Sequence, residues 1–220
     1  MLPEAVWQEI KAVFFDAEGT LVHIHPSVGH VYAKVWAEFG LKADPEAANR
    51  AFYEVYARRK DSWPPSPEGC FQGWREVFLE TAARFGPLKD PEAAYLRCYE
   101  CFARKEFFRL SPGAEELLYA LKRAGLKLAV ISNWDERLRR LLSDFGLLSL
   151  FDELFISCEL GLKKPDPALY ELACQRLKVS PSSALMVGDS LEDDVLGARR
   201  AGLWALRYPG GDLRLLFPGF

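Results

Sequence analysis

The stretch Lys11–Leu21, KAVFFDAEGTL, decides how the chain is read. Residues 11–15 read as a short strand, continuously apolar from Ala12, the pattern of a strand buried on both faces. The run stops at Asp16, and a second acid, Glu18, follows two residues later, ahead of Gly19 and Thr20. Two acids at the end of a buried strand ask for a partner, and the rest of the sequence supplies candidates.

Downstream of Ser111, helical and strand patterns alternate. SPGAEELLYALKRAG (111–125) is a helix with a glycine stop, and LKLAVIS (126–132) is a strand. DERLRRLLSDFG (135–146) is a helix, FDELFIS (151–157) a short strand, and DPALYELACQRLKV (166–179) a helix opened by Asp-Pro. SALMVGD (183–189) is a strand, LEDDVLGARRAG (191–202) a helix, and LWALRY (203–208) a last strand. Such alternation predicts a parallel sheet covered on both faces. Between the first strand and this region lie four helical stretches and no convincing strand: 29–40, 45–60, 68–86 and 91–108. Asp44-Pro45 and Asp90-Pro91 mark helix starts, with Asp as N-cap and Pro in the first turn. The expected fold is therefore a doubly wound, Rossmann-like α/β core, residues 1–22 and 109–220, with a four-helix cap inserted at residues 23–108.

A chain of 220 residues, half of them hydrophobic, accommodates this arrangement. The net charge of −3, without a basic block, argues against nucleic acid as the main partner. No apolar run reaches membrane-spanning length, and the acid-bearing start MLPEAVWQEIKAV lacks the layout of a signal peptide. The five cysteines, odd in number and irregularly spaced, read as reduced thiols of a cytoplasmic protein. Cys98 and Cys101 form a C-x-x-C within a helical pattern, and no second pair completes a zinc site. Asn occurs twice and Gln three times, a scarcity seen in heat-adapted proteins.

Three strands end in polar residues: Asp16, Ser132 followed by Asn133, and Asp189. Ligands of open parallel sheets bind outside the carboxyl ends of the strands. Each tip alone could merely cap the next helix, but three on one edge, with acids among them, imply a site. Asp16, Glu18, Asp189, Asp193 and Asp194 would repel one another there. A divalent cation relieves that repulsion, and an all-oxygen donor set suits Mg²⁺. Lys164, in GLKKPDP, is the candidate positive partner.

Taken in order, DAEGTL, VISN, KKPDP and VGDSLEDDVLGARRAG resemble the four motifs of the haloacid dehalogenase-like hydrolase superfamily, over residues 11–208. The helical insertion is similar to the cap of the subclass with an α-helical lid. HPSVGHVYAKVWAEFGL and AVISNWDERL most resemble the group named after a rhythmically expressed insect gene. The resemblance implies that Asp16 is the nucleophile of a phosphatase acting on a small phosphorylated metabolite through an aspartyl-phosphate. It also implies that Asp16, the Glu18 backbone carbonyl and Asp189 hold Mg²⁺, with Asp194, or its neighbour Asp193, as the later acid. Ser132, with Asn133 beside it, would bind phosphate, Lys164 would offset charge, and Gly19 and Thr20 would shape the turn beneath the substrate. Where Glu18 stands, phosphatases of the family usually carry Asp as acid–base. The longer side chain leaves three readings: adjusted geometry, slow turnover, or another reaction. The alternatives are a 2-haloacid dehalogenase, or a weakly active or non-catalytic protein that binds a phosphorylated ligand. The dehalogenases have no acid two residues after the nucleophile, and an uncharged residue where Asp189 stands.

Other signals are weaker. His23, His25 and His30 could hold a transition metal, or form a polar flap at the site entrance. The many cap aromatics are explained mostly by helix packing. Trp63, in DSWPPSP, fits no helix face and is the candidate substrate or interface contact. Either a monomer or a homodimer is compatible with the sequence.

Overall fold

The computed structural model of the protein describes residues 3–219. A short helix, α1 (Glu4–Glu9), precedes β1 (Ala12–Phe15), and β2 (Val22–Ile24) follows. Four helices come next: α2 (Val28–Glu38), α3 (Pro45–Arg59), α4 (Pro67–Ala83) and α5 (Pro91–Cys101). β3 (Phe108–Leu110) leads into α6 (Ala114–Arg123), β4 (Lys127–Ser132) and α7 (Arg137–Asp144). Then come β5 (Glu153–Ile156), α8 (Ser157–Leu160), α9 (Pro167–Leu177) and β6 (Ala184–Gly188). A turn of π-helix, Leu191–Leu196, runs into α10 (Gly197–Arg200), and β7 (Trp204–Arg207) closes the sheet.

The sheet order is β5-β4-β1-β6-β7, with every pair parallel. β1 is central and wholly buried, which is why it reads as unbroken apolar sequence. Its side chains alternate between two cores. Val13 and Phe15 pack with Leu117, Leu121 and Leu138 of α6 and α7. Phe14 packs on the other face with Leu169, Tyr170 and Ala198 of α9 and α10. This is the doubly wound arrangement expected from the alternation. Helices α2–α5 form a helical cap with its own core around Trp36, Val55 and Phe78. Asp44, Ser66 and Asp90 each accept a hydrogen bond from a first-turn N–H, and each is followed by Pro at the helix start. No helix among the described residues is long and apolar enough to cross a membrane.

Three features differ from expectation. β2 and β3 pair antiparallel as a two-stranded ribbon at the root of the cap, Val22 opposite Leu110; three-residue strands are too short to leave a periodic signature. LEDDVLGARRAG begins as π-helix rather than α-helix, and the Tyr170 hydroxyl donates to the Asp193 carbonyl there. Finally, Cys70 and Cys158 form a disulfide, with Cα atoms 6.1 Å apart. The expectation of five reduced thiols is thus wrong for this pair, whose members lie 88 residues apart and carry no spacing signal. The bridge ties α4 of the cap to α8 of the core. Cys98, Cys101 and Cys174 are free and buried, as plain core cysteines would be. A cytoplasmic location, expected partly from the cysteines, loses that support.

Candidate active site

Asp16 directly follows β1, and its N–H continues the ladder by donating to Val187 at 2.9 Å. The register places it beside the ends of β4 and β6, where Ser132 and Asp189 emerge. Buried Lys164 reaches this point from the segment before α9. Its Nζ donates to Asp16 Oδ1 and to Asp194 Oδ1, each at 2.6 Å. Asn133 fixes the lysine's backbone: its Oδ1 accepts from the Lys164 N–H at 2.8 Å and its Nδ2 donates to the Lys164 carbonyl at 2.9 Å. Asp194 Oδ2 accepts from the Ser190 N–H at 3.0 Å. The Ser132 hydroxyl, buried but facing the cavity, makes no hydrogen bond among the described residues.

Two glycines allow this crowding. At Gly188 a Cβ would come within 2.1 Å of the Asp194 carboxyl carbon. At Gly19, with φ of +89°, a Cβ would come within 2.8 Å of the Asp189 carboxylate. The turn after Asp16 therefore needs glycine both for its left-handed backbone and for space.

Charge is unbalanced. Oxygens of Asp16, Asp189 and Asp194 lie within 4.8 Å of one another. Burial raises the Asp16 pKa despite the opposing pull of Lys164, and Asp194 and Asp189 add to the rise. Burial and then Asp194 raise Asp189. Glu18 opens onto the cavity, yet protein crowds it enough that desolvation, then Asp189, lifts its carboxyl to about 7. Burial works against the charge on Lys164, but Asp16 and Asp194 more than restore it, raising its pKa. One ammonium cannot neutralise three clustered carboxylates with Glu18 and Asp193 at the rim. An all-carboxylate group of this kind can hold a divalent cation, and Mg²⁺ fits the donor set.

The site lies at one end of a cavity of about 310 Å³ between core and cap. Asp16, Glu18, Ser132, Asn133, Lys164 and Asp189 line that end, with Asp193 and Asp194. The other end is aromatic, formed by cap residues including Tyr32, Phe52, Tyr56, Trp74 and Tyr99, with Trp134 of the core. Sequence reasoning treated the cap aromatics as packing and missed this wall. The spacing of Phe52 and Tyr56, four residues apart on α3 and hence on one helix face, was the available signal. It also missed Arg137, which lines the same cavity and is paired with buried Asp135 by contacts of 2.8 and 2.6 Å.

Not every expected residue meets the site. The Glu18 and Asp193 carboxylates are outside the tight group of Asp16, Asp189 and Asp194. Thr20 is fully buried beneath the turn and Gly19 packs on Asp189, so neither lines the cavity. Trp63 does not line it either; it packs against Gly73 and Trp74 and borders a neighbouring cleft with Asp61 and Lys163. The three histidines do not converge on a metal. His23 Nε2 pairs with the Ser111 hydroxyl at 2.7 Å, and His30 Nδ1 with the Ser27 hydroxyl at 2.9 Å. None of the three lines the cavity, although His23 lies close enough to Asp189 for their charges to interact.

A family model described as haloacid dehalogenase-like hydrolase matches residues 10–202. Haloacid dehalogenase-like hydrolase domain-containing protein 3 of Bos taurus is 30% identical over 211 residues, 92% of this chain and 83% of that protein. Among solved structures, a HAD phosphatase from Thermococcus onnurineus matches with a TM-score of 0.66 and 26% identity, over 96% of this chain and 99% of the other. A 2-haloacid dehalogenase from Pseudomonas syringae matches with a TM-score of 0.63 and 27% identity, over 90% of this chain and 86% of the other. Overall likeness thus spans both chemistries, and the site residues must choose between them.

Proposed function

The chain belongs to the haloacid dehalogenase-like hydrolase family, and on that premise we propose that it is a Mg²⁺-dependent phosphatase of small phosphate monoesters. The observation that carries this reading is the convergence of Asp16, Asp189 and Asp194 within 4.8 Å, around a single lysine. A dehalogenase needs no metal and no acid at Glu18, so this charge excess favours phosphate. Within the family we assign the chain to the rhythmically-expressed-gene group, on the stretches HPSVGHVYAKVWAEFGL and AVISNWDERL.

Asp16 and Asp189, with Asp194 adjoining, would hold Mg²⁺, which supplies charge neutralisation for an incoming phosphoryl group. Lys164 occupies Asp16 Oδ1, which leaves Oδ2 as the attacking oxygen. Oδ2 forms a bond to phosphorus while the bond from phosphorus to the ester oxygen breaks. Glu18, whose raised pKa keeps a proton near neutrality, gives that proton to the departing oxygen. Glu18 then takes a proton from water, the water oxygen attacks the aspartyl-phosphate at phosphorus, and inorganic phosphate leaves with Asp16 restored. Ser132 donates its free hydroxyl to a phosphate oxygen. The cap covers the site and limits water to the second step.

Hydrolysis of p-nitrophenyl phosphate with Mg²⁺ tests the proposal. Activity in the wild type, abolished in Asp16→Asn with the fold intact by circular dichroism, is expected. Metal-independent halide release from a 2-haloacid would overturn it.

A further inference from the structure

The phosphoryl chemistry accounts for one end of the cavity and leaves the aromatic end unexplained. Phe52 and Tyr56 stack with ring planes 10° apart at 5.6 Å, and Tyr56 and Trp74 stack at 6° and 5.4 Å. These near-parallel rings form an aromatic stack between α3 and α4. Aromatic rings gain from offset stacking and edge contact beyond the area they bury.

The charges on the cavity wall add a second constraint. Only two cationic side chains line it among the described residues, Lys164 and Arg137. Lys164 is held by Asp16 and Asp194. Arg137 is buried, bonded to both oxygens of Asp135, and lies 3.7 Å from the Tyr99 ring centroid. Neither is free to meet a second anion on a substrate. A carboxylate or further phosphate inside this cavity would be stripped of water without a free counter-charge, since Lys60 and Lys163 line only the adjoining cleft that shares Tyr56 and Trp74. Several polar groups there make no hydrogen bond among the described residues, the hydroxyls of Tyr32, Tyr53 and Tyr56 and the indole N–H groups of Trp74 and Trp134, and of the hydroxyls that of Tyr32, on a residue only 3% exposed, is the most deeply placed.

We infer that the substrate's organic part is a flat, neutral aromatic group with no second anion, lying along the Phe52–Tyr56–Trp74 wall and able to offer Tyr32 one hydrogen-bonding substituent. The inference rests on the phosphatase reading for the phosphoryl end only. It separates this cavity from one built for phosphorylated carboxylic acids or 2-haloacids, whose carboxylate would need a free cation.

The test is calorimetry with two non-hydrolysable probes in Mg²⁺: 2-naphthylmethylphosphonate and phosphonoacetate. The naphthyl probe is expected to bind at least tenfold more tightly. Trp74→Leu, and independently Phe52→Leu, should each cut that preference roughly three- to tenfold by removing a stacking face, with folding checked by circular dichroism. Turnover of 2-naphthylmethyl phosphate against phosphoglycolate, both esters of alcohols, forms a parallel arm. Equal or tighter binding of phosphonoacetate, or a preference untouched in both variants, would overturn the inference and leave a phosphatase standing. Naphthyl preference without hydrolysis of any ester would support the pocket assignment and overturn the phosphatase. Binding of neither phosphonate would overturn the inference as well.

Discussion

Replacing Cys70 by Ser releases the disulfide that bridges cap and core. The bridge closes a segment of 88 residues, and the chain-entropy cost that it removes from folding is about 4–5 kcal/mol for a loop of that length. Native bridges more often contribute about 2–4 kcal/mol. In a chain of this size each kcal/mol moves the melting temperature by about 2–4 °C, so Cys70→Ser should melt about 5–15 °C lower. The Lys163–Asp61 ion pair, at 2.7 Å, joins cap and core on the same side, but it is too exposed to compensate. Two assays check this. Differential scanning calorimetry without reductant should show the drop, and reductant should bring the wild type down to the variant. Thiol titration of the denatured, unreduced wild type should find three free thiols, those of Cys98, Cys101 and Cys174, and the variant should add Cys158. Five thiols in the untreated wild type, or coincident melting curves, would refute the reasoning.

Three further outcomes are expected. Glu18→Asp should keep or raise turnover of an alcohol ester such as benzyl phosphate while Glu18→Ala loses it; equal losses in steady-state kinetics would remove Glu18 from acid–base work. Lys164→Met strands Asp16 and Asp194 in a buried site and should cost about 3–5 kcal/mol in metal-free urea denaturation, with Mg²⁺ recovering part of the loss; an unchanged midpoint would refute this. Metal-free protein should also lose stability as pH rises from about 4.5 to about 7, the interval between the ordinary and folded pKa of Glu18. Over that range the unfolded chain has released a proton that the folded one still holds, so rising pH favours unfolding. Melting in EDTA, compared with Glu18→Gln, reads the effect; a slope no shallower in the variant would count against it.

The core was legible because its signals are local. A strand buried on both faces must be apolar throughout, so β1 announced itself, and Asp16 stood out as the first residue that could not belong to it. Asp44 and Asp90 marked their helices because capping is settled within four residues. What escaped depends on partners brought together only by folding. Cys70 and Cys158 meet because α4 lies on α8, and neither residue's neighbours encode that contact. The histidines failed for the same reason. Spaced closely enough to suggest one metal, His23 and His30 are spent on Ser111 and Ser27. Trp63 drew notice as an aromatic outside any helix pattern, but Gly73 leaves a hollow that its ring fills. The converse error concerned Phe52, Tyr56 and Trp74, whose helical spacing looked like ordinary packing. A helix buries the same face whether it meets another helix or lines a cavity, so periodicity alone could not separate the two.

The two ends of the cavity bear on the glutamate at position 18. An acid one methylene longer than the usual aspartate reaches a different point, and a displacement of ~1 Å can cost on the order of a hundredfold in rate. That cost matters only in proportion to how much help the departing oxygen needs. An alkoxide must be protonated as it leaves; a phenolate, its charge delocalised into the ring, needs far less. An aromatic wall across from the nucleophile favours leaving groups of the second kind. On the proposed function and substrate class, the substitution at Glu18 and the stack at Phe52, Tyr56 and Trp74 would then be one adaptation rather than two. On this argument the penalty of Glu18→Ala should be steep for benzyl phosphate and shallow for phenyl phosphate. Equal penalties for the two esters, measured as kcat/KM, would show that the acid and the wall were selected independently.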